Sequence, residues 1–132
     1  MYIEQALMTY LNDQAVLTAL LPGGIHFVKA RQDTYMPYLC IHKISDVPEH
    51  AHDGNANLNE ARFQLSAFAE TYKEIKDINS ALKDALDHFT GVMGGDGGCY
   101  ISRCFLDSES DNYEDSTELF YSPVDYLIQY SE

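Results

Sequence analysis

The strongest constraint on the fold is the segment from Ala61 to Phe89, where the spacing of apolar residues changes once. In its first part apolar residues alternate with polar ones, which places them on one face of a β-strand: Phe63, Leu65 and Ala67. In its second part they recur every three or four residues and form one stripe along a helix: Tyr72, Ile75, Ile78, Leu82, Leu86 and Phe89. Thr71 and Glu74 form a T-x-x-E capping box at the change, in which each side chain satisfies a backbone N–H of the first turn. The pattern predicts a strand that leads directly into a helix.

The rest of the chain supplies two more helices and four more strands. Residues Tyr2 to Leu21 have helical spacing with a break at Asn12–Asp13, and Pro22–Gly23–Gly24 ends the second helix. The predicted strands are Ile25–Lys29, Tyr38–Ile44, Cys99–Leu106 and Glu118–Tyr130. The order α–α–β–β–β–α–β–β predicts a single α+β domain over residues 1–132. We expect a largely antiparallel or mixed sheet packed against the N-terminal helices and one long helix.

Two polar stretches are predicted to be flexible loops. Residues 45–58 contain turn-forming residues and almost no apolar anchor, and in residues 107–118 only Tyr113 has a side chain suited to burial. Gly91–Gly98 contains five glycines, which end the long helix and allow a sharp reversal. Pro123 inside the last strand indicates an edge or a bulge, because proline has no N–H to donate.

The chain is strongly acidic, which limits its partners. It has 21 acidic and 8 basic residues, for a formal net charge of −13. Such a surface repels phosphate and argues against recognition of DNA or RNA by counterion release. It does not argue against proximity to DNA, because a conduit lined with carboxylates repels a passing duplex and prevents it from sticking.

Cysteine usage and hydropathy indicate the compartment. Cys40, Cys99 and Cys104 are odd in number and lack C-x-x-C spacing, so we expect reduced, half-buried thiols. The N-terminus lacks the basic region of a signal peptide, and no run of about 18 apolar residues is long enough to span a bilayer. We expect a protein made and kept in the reducing cytoplasm, without a membrane partner.

Two motifs could in principle bind a metal ion or phosphate. His50, His52 and Asp53 have ligand chemistry suited to zinc, but the i, i+2 spacing in a polar loop favours solvated residues over a metal site. Gly94–Gly98 could cradle phosphate with backbone N–H groups. A phosphate loop opens a helix, whereas this run follows one, so a helix-to-strand turn is favoured. We expect no cofactor.

A cluster of carboxylates is the third candidate: Asp107, Glu109, Asp111, Glu114, Asp115 and Glu118. Calcium or acid–base catalysis would need carboxylates, yet the order lacks the glycine and the terminal bidentate Glu of an EF-hand loop. A solvated loop tip that faces a charge-complementary partner is the favoured interpretation. Together with Tyr113, these residues are our candidates for a partner interface.

No motif for nucleophilic catalysis is present. There is no G-x-S-x-G sequence, and although Cys99 and His88 could approach each other, nothing in the sequence marks either as activated. A chain of 132 residues without such motifs is predicted to be an interaction or structural protein and not an enzyme.

Four segments together resemble a family of small phage proteins. They are I-E-Q-A-L-x-x-Y-L with the following V-L-T-A-L-L-P-G-G-I, then M-P-Y-L-C-I-H-K-I-S, then A-R-F-Q-L-S-A-F-A-E-T-Y-K-E-I, and the closing tyrosine-rich strands. In order and spacing the chain is similar to the tail-completion or tail-terminator proteins of siphophages, which join head to tail. The chain departs from a typical member in its acidic 107–118 tip and its glycine-rich turn.

The resemblance implies a structural virion protein of the tail or neck, assembled in the host cytoplasm. Members of this family form a ring, generally of six subunits, on the last ring of the tail tube, and they present a surface to the head connector. The expected partners are therefore the chain itself, the major tail-tube protein and a head-connector or head-completion protein, with DNA passing through the ring without specific binding. Phe68 is a candidate for a ring contact, and its alternative is burial under the N-terminal helices. The alternative functions are another neck or minor tail component of this fold, or a small bacterial ligand- or metal-binding module.

Overall fold

A computed structural model describes residues 1–48 and 58–132. Ten helices and strands follow one another in this part of the chain: α1 (Ile3–Asn12), α2 (Ala15–Ala19), β1 (Ile25–Phe27), β2 (Tyr38–Pro48), β3 (Asn59–Ala69), α3 (Tyr72–Leu86), β4 (Gly91–Met93), β5 (Cys99–Glu109), β6 (Asn112–Glu114) and β7 (Leu119–Ser131). Within these residues no helix has the length and hydropathy needed to span a bilayer.

The strands form one sheet with the order β1-β2-β3-β7-β5-β4, and β6 pairs with β7 beyond the end of β5. All neighbours are antiparallel except β1 and β2, which are parallel. The predicted α+β class and the mixed sheet are therefore confirmed.

The helices pack on one face of the sheet. The other face, which we call the open face, carries half-buried residues along β3 and β7, and Cys40 on β2 is 5% exposed there. From Ala61 in β3 and from Ser122 in β7 the residues alternate strictly between buried and half-buried, as the period of two requires. Phe63, Tyr126 and Tyr130 are among the largest fully buried side chains on the helix-bearing face. The apolar stripe of α3 meets them through Ile75, Ile78, Leu82 and Leu86, which are all at most 1% exposed.

The junction of β3 and α3 differs in one detail from a reciprocal capping box. The Thr71 hydroxyl accepts a hydrogen bond from the Glu74 backbone N–H at 3.3 Å, as predicted. The Glu74 carboxylate accepts from the Thr71 hydroxyl at 2.8 Å instead of from its backbone N–H. At the two ends of the predicted stripe, Tyr72 is 46% exposed, and Phe89 lies past the last residue of the helix, where it packs against Tyr10.

The two predicted loops are shorter than expected. β2 continues to Pro48, so residues 45–48 belong to the sheet, and residues 49–57 of the first loop lie outside the described residues. In the second loop, β5 continues to Glu109 and β6 pairs with the start of β7. The residues of both extensions are exposed except for the half-buried Asp46, so they have backbone pairing without the apolar alternation that identifies a strand in sequence.

Pro123 does not lie on an edge, because β7 is flanked by β3 on one side and by β5 and β6 on the other. The Pro123 carbonyl accepts from Ser110 N–H at 3.2 Å, at the point where the chain crosses from β5 to β6. The N–H that proline lacks would face this same crossing, where regular strand pairing is interrupted. A central strand therefore tolerates proline here.

Candidate interaction surfaces

An aromatic row crosses the open face of the sheet near one end. Phe68 stacks between Tyr38 and Tyr121, with ring centroids 4.9 and 5.8 Å away and an interplanar angle of 17° in both cases. His26 meets Tyr38 edge-on at 6.0 Å. Phe68 lies on the face of the sheet opposite the helices. The alternative prediction, that it is buried under the N-terminal helices, is therefore wrong. Its role as a ring contact stays a prediction.

A charged cluster occupies the middle of the open face. Arg62 on β3 lies 2.7 Å from the Asp107 carboxylate and 3.0 Å from that of Asp125 on β7. Gln64 donates to the second oxygen of Asp125 at 3.2 Å. Hydrogen bonds to these two carboxylates raise the pKa of Arg62. Asp107, a predicted interface residue, is thus engaged inside its own subunit.

Two side chains of α3 bind carboxylates at the end of β5 and in the residues that follow it. The Lys76 ammonium lies 3.0 Å from the Asp111 carboxylate and 3.5 Å from that of Glu109. The Tyr72 hydroxyl donates to Asp111 at 2.8 Å. Hydrogen bonds from Lys76 and Tyr72 lower the pKa of Asp111. Glu109 and Asp111 therefore attach the segment between β5 and β6 to α3, and they are less available to a partner than the sequence suggests.

The tip of this region is a β-hairpin, which we call the acidic hairpin: β6, the turn at residues 115–118 and the start of β7 as far as Tyr121. Glu114 closes the turn by accepting from the Thr117 hydroxyl at 2.9 Å. Tyr113 packs edge-on against Phe120 at 4.9 Å and stays 49% exposed. Within the described residues no basic side chain pairs with Glu114, Asp115 or Glu118. The tip therefore carries three carboxylates and a half-exposed tyrosine.

The opposite edge of the sheet carries a groove that the sequence did not reveal. The groove has a volume of about 490 Å³; Ile41 and Phe63 lie in its wall, and Tyr2, Phe27 and Val28 stand exposed at its rim. We call it the β1 groove. The loop at residues 29–33 follows Val28 of the groove directly in sequence and lines a separate concavity.

Two basic residues lie in the loop beside the β1 groove and outside its lining. Lys29 and Arg31 are exposed and have no ion pair within the ranges 1–48 and 58–132, and Asp33 is the one acidic residue of the adjoining loop. Inside the groove the charge of Glu4 is offset by Lys43 at 3.5 Å. In a chain with a net charge of −13, the closely spaced pair K-x-R was the available sequence signal for this surface.

The other candidate sites fall into two groups. His50, His52 and Asp53 lie outside the described residues, and among the described ones no three His, Cys, Asp or Glu side chains are arranged to hold a metal ion. Gly94–Gly98 forms the turn between β4 and β5. Cys99 is buried and donates to the Met1 carbonyl at 3.3 Å, and burial raises its pKa. The His88 imidazole lies 3.6 Å from the Asp87 carboxylate, and the charged groups that act on the pKa of Cys99 are Glu132, the N-terminal amine and Glu4.

Comparison with known proteins agrees with the fold and with the order of its segments. The family of tail completion protein gp17 matches residues 5–131. A chain in the virion of a native gene transfer agent particle superposes with a TM-score of 0.76 at 13% sequence identity, over 98% of each chain. A second solved chain, whose name states no function, gives a TM-score of 0.56 at 12% identity, over 98% of this chain and 95% of that one.

These two structural likenesses concern the fold, and among curated proteins none matches the chain. The family match covers nearly every residue of the domain and confirms the resemblance drawn from the sequence. The chain belongs to the family of tail completion protein gp17, which makes it a structural protein of the bacteriophage tail and places it in the virion.

Proposed function

We propose that this chain closes the tail tube as a ring of six copies and forms the interface that joins the tail to the head connector. The observation that carries the proposal is the family match over residues 5–131. The fold likeness to a chain of a gene transfer agent virion, over 98% of both chains, adds support. In this role the protein acts as a connector between assemblies and not as an enzyme.

The sheet supports assembly into a ring. β1 and β4 are the two terminal strands, and β6 lies beside β7 without a further strand neighbour in the described part of the chain. Open strand edges pair readily with other chains. When a contact joins two different surfaces of one subunit, it generates a closed ring if the rotation between neighbours is suitable.

The charge supports a passage for DNA. A net charge of −13 on each subunit would line the ring with negative potential, which repels phosphate at short range. DNA would then pass through without being held. The proposed partners are another copy of the chain, the major tail-tube protein and a head-connector or head-completion protein.

Tail tubes assembled from the tube protein provide the test. Purified chain is added during tube growth, and negative-stain images are scored for tube length and for a ring at one end. We expect shorter tubes with a ring at one end, and tubes so capped should bind the connector protein. Unchanged tube growth together with no binding to tube or connector would refute the proposal. Binding to the connector alone would indicate a different neck component of the same fold.

A further inference from the structure

The β1 groove and the acidic hairpin lie at opposite edges of the sheet. At the end where Tyr38, Phe68, Tyr121 and Asn112 stand in one row, the strands run in the order β1, β2, β3, β7, β6. Four strand spacings separate β1 from β6, which is roughly 19 Å. A contact between these two edges of neighbouring copies is therefore head-to-tail and leaves one of each edge free for the next copy.

The two surfaces are complementary in shape and side-chain chemistry. The groove is concave and exposes the apolar side chains of Phe27 and Val28, which are 45% and 62% exposed. The hairpin projects beyond the end of β5 and exposes Tyr113. Phe27 and Tyr113 both belong to the helix-bearing side of their strands, because Phe27 pairs with Ile41 and Tyr113 with Phe120.

Charge selects the partner of each surface. The loop beside the groove carries Lys29 and Arg31, and the hairpin tip carries Glu114, Asp115 and Glu118. None of these five side chains forms an ion pair with the described residues of its own subunit. Contact between two hairpins would place acidic tips together, and contact between two grooves would place basic edges together. Groove against hairpin is the arrangement that brings opposite charges into contact.

We propose that the acidic hairpin of each subunit docks into the β1 groove of the next copy of the same chain. The inference rests on the proposed ring and names its subunit contact. The half-exposed Tyr113 meets the apolar rim of the groove, while the carboxylates of the tip meet Lys29 and Arg31. The charges fix the direction of the contact, and the apolar side chains supply most of the area removed from water.

Two charge-reversal variants test the docking. The first, K29E/R31E, makes both edges acidic, and the second, D115K/E118K, makes the hairpin basic beside a basic groove. Glu114 is left intact because it closes the turn. Each variant alone should lose ring formation on tail tubes at least tenfold relative to the unmodified chain. An equimolar mixture should recover it, because each groove can then contact a hairpin of opposite charge.

Native mass spectrometry of the mixed rings gives the sharpest readout. An alternating ring contains the two variants in equal number, whereas random incorporation gives a binomial spread of compositions.

Circular dichroism establishes that each variant is folded, and K29Q/R31Q provides a milder change at the same edge. Matched controls make the same change in charge on other exposed residues that have no ion pair among the described residues: K83E/R103E for the first variant and E70K/D84K for the second.

Three results would overturn the docking. They are single variants that assemble as well as the unmodified chain, a mixture that does not recover assembly, and control variants that lose assembly to the same extent. In the first two cases the unmodified chain still caps tubes, so the proposed function stands. If the unmodified chain forms no ring on tubes, the proposed function fails and the docking fails with it.

Discussion

The side-chain amide of Asn79 donates a hydrogen bond to the hydroxyl of Ser122 at 2.9 Å, in the interior between α3 and β7. Ser122 in turn donates to the Ser110 carbonyl at 2.5 Å, where the chain crosses from β5 to β6. Asn79 is 6% exposed and Ser122 is fully buried. This relay connects the long helix to the base of the acidic hairpin through the central strand.

Replacement of Ser122 by alanine should destabilise the subunit by about 1–3 kcal/mol. The Ser110 carbonyl loses the hydroxyl that donates to it, and the buried Asn79 amide keeps only its longer hydrogen bond to Glu109 at 3.4 Å. Urea unfolding followed by circular dichroism measures the change. Ser80 on the exposed side of α3 is the matched control, and S80A should change the free energy of unfolding by no more than about 0.5 kcal/mol. Equal effects of the two substitutions would show that the relay does not stabilise the fold.

The pKa of Asp111 provides a second prediction, which concerns the attachment of the hairpin to α3. Hydrogen bonds from Lys76 and Tyr72 hold this pKa below its ordinary value of 3.8. A carboxyl whose pKa is lower in the folded than in the unfolded state stabilises the fold at every pH above the unfolded-state pKa. This stabilisation is lost as the pH falls through the folded-state pKa. The attachment is therefore constant near neutral pH and weakens below about 3.8.

An NMR titration of the Asp111 carboxyl should give a midpoint below 3.8. In K76M the midpoint should rise toward the ordinary value, because the ammonium that favours the charged carboxylate is gone. K73M is the control, since Lys73 pairs with Asp77 and not with Asp111. A midpoint that does not respond to K76M would mean that Lys76 and Asp111 are not paired in solution.

Periodicity predicted the centre of this fold from sequence. The alternation in β3, the stripe of α3 and the shared face of Phe120, Val124, Tyr126, Ile128 and Tyr130 all arise from a single buried face, so each left a regular apolar pattern. Thr71 marked the junction correctly because a helix N-cap is a local feature. The family resemblance followed from these same segments in their order.

The peripheral strands and the β1 groove left no such pattern. β4 and β6 are three residues long, too short for alternation to be distinguished from chance, and β6 is exposed on both faces. The groove exists because β1 and α1, which are separated in sequence, meet at the sheet edge. Sequence could identify the acidic residues of the hairpin, but it could not separate Asp107, Glu109 and Asp111, which are paired within the subunit, from the unpaired tip.

The glycine-rich turn gives a third prediction, because two of its glycines differ in their surroundings. Gly94 and Gly95 both have positive φ, of 93° and 75°. A Cβ at Gly94 would lie 2.9 Å from Ala6 Cα in α1, whereas a Cβ at Gly95 would meet nothing within 4 Å. G95A should therefore lose about 1–2 kcal/mol from the left-handed backbone alone. G94A should lose about 1–3 kcal/mol more, because α1 must move.

Thermal and urea unfolding of the two glycine variants measure this difference, and each variant serves as the control for the other. If G94A and G95A unfold at the same denaturant concentration, the turn does not pack against α1 as closely as the structure indicates. A shift of the helix in G94A should also change the NMR signals of Ala6 and its neighbours in α1, and G95A should leave them in place.

The buried thiols give the last prediction. Burial raises the pKa of Cys104 to about 12 and also raises the pKa values of Cys40 and Cys99. Because the thiolate is the reactive form, Ellman's reagent at pH 8 should label all three only as fast as the subunit opens, and should label them at once in urea. S102C, which places a thiol at an exposed position of β5, should react immediately in the folded protein. Rapid labelling of the unmodified folded chain would contradict the burial of these thiols.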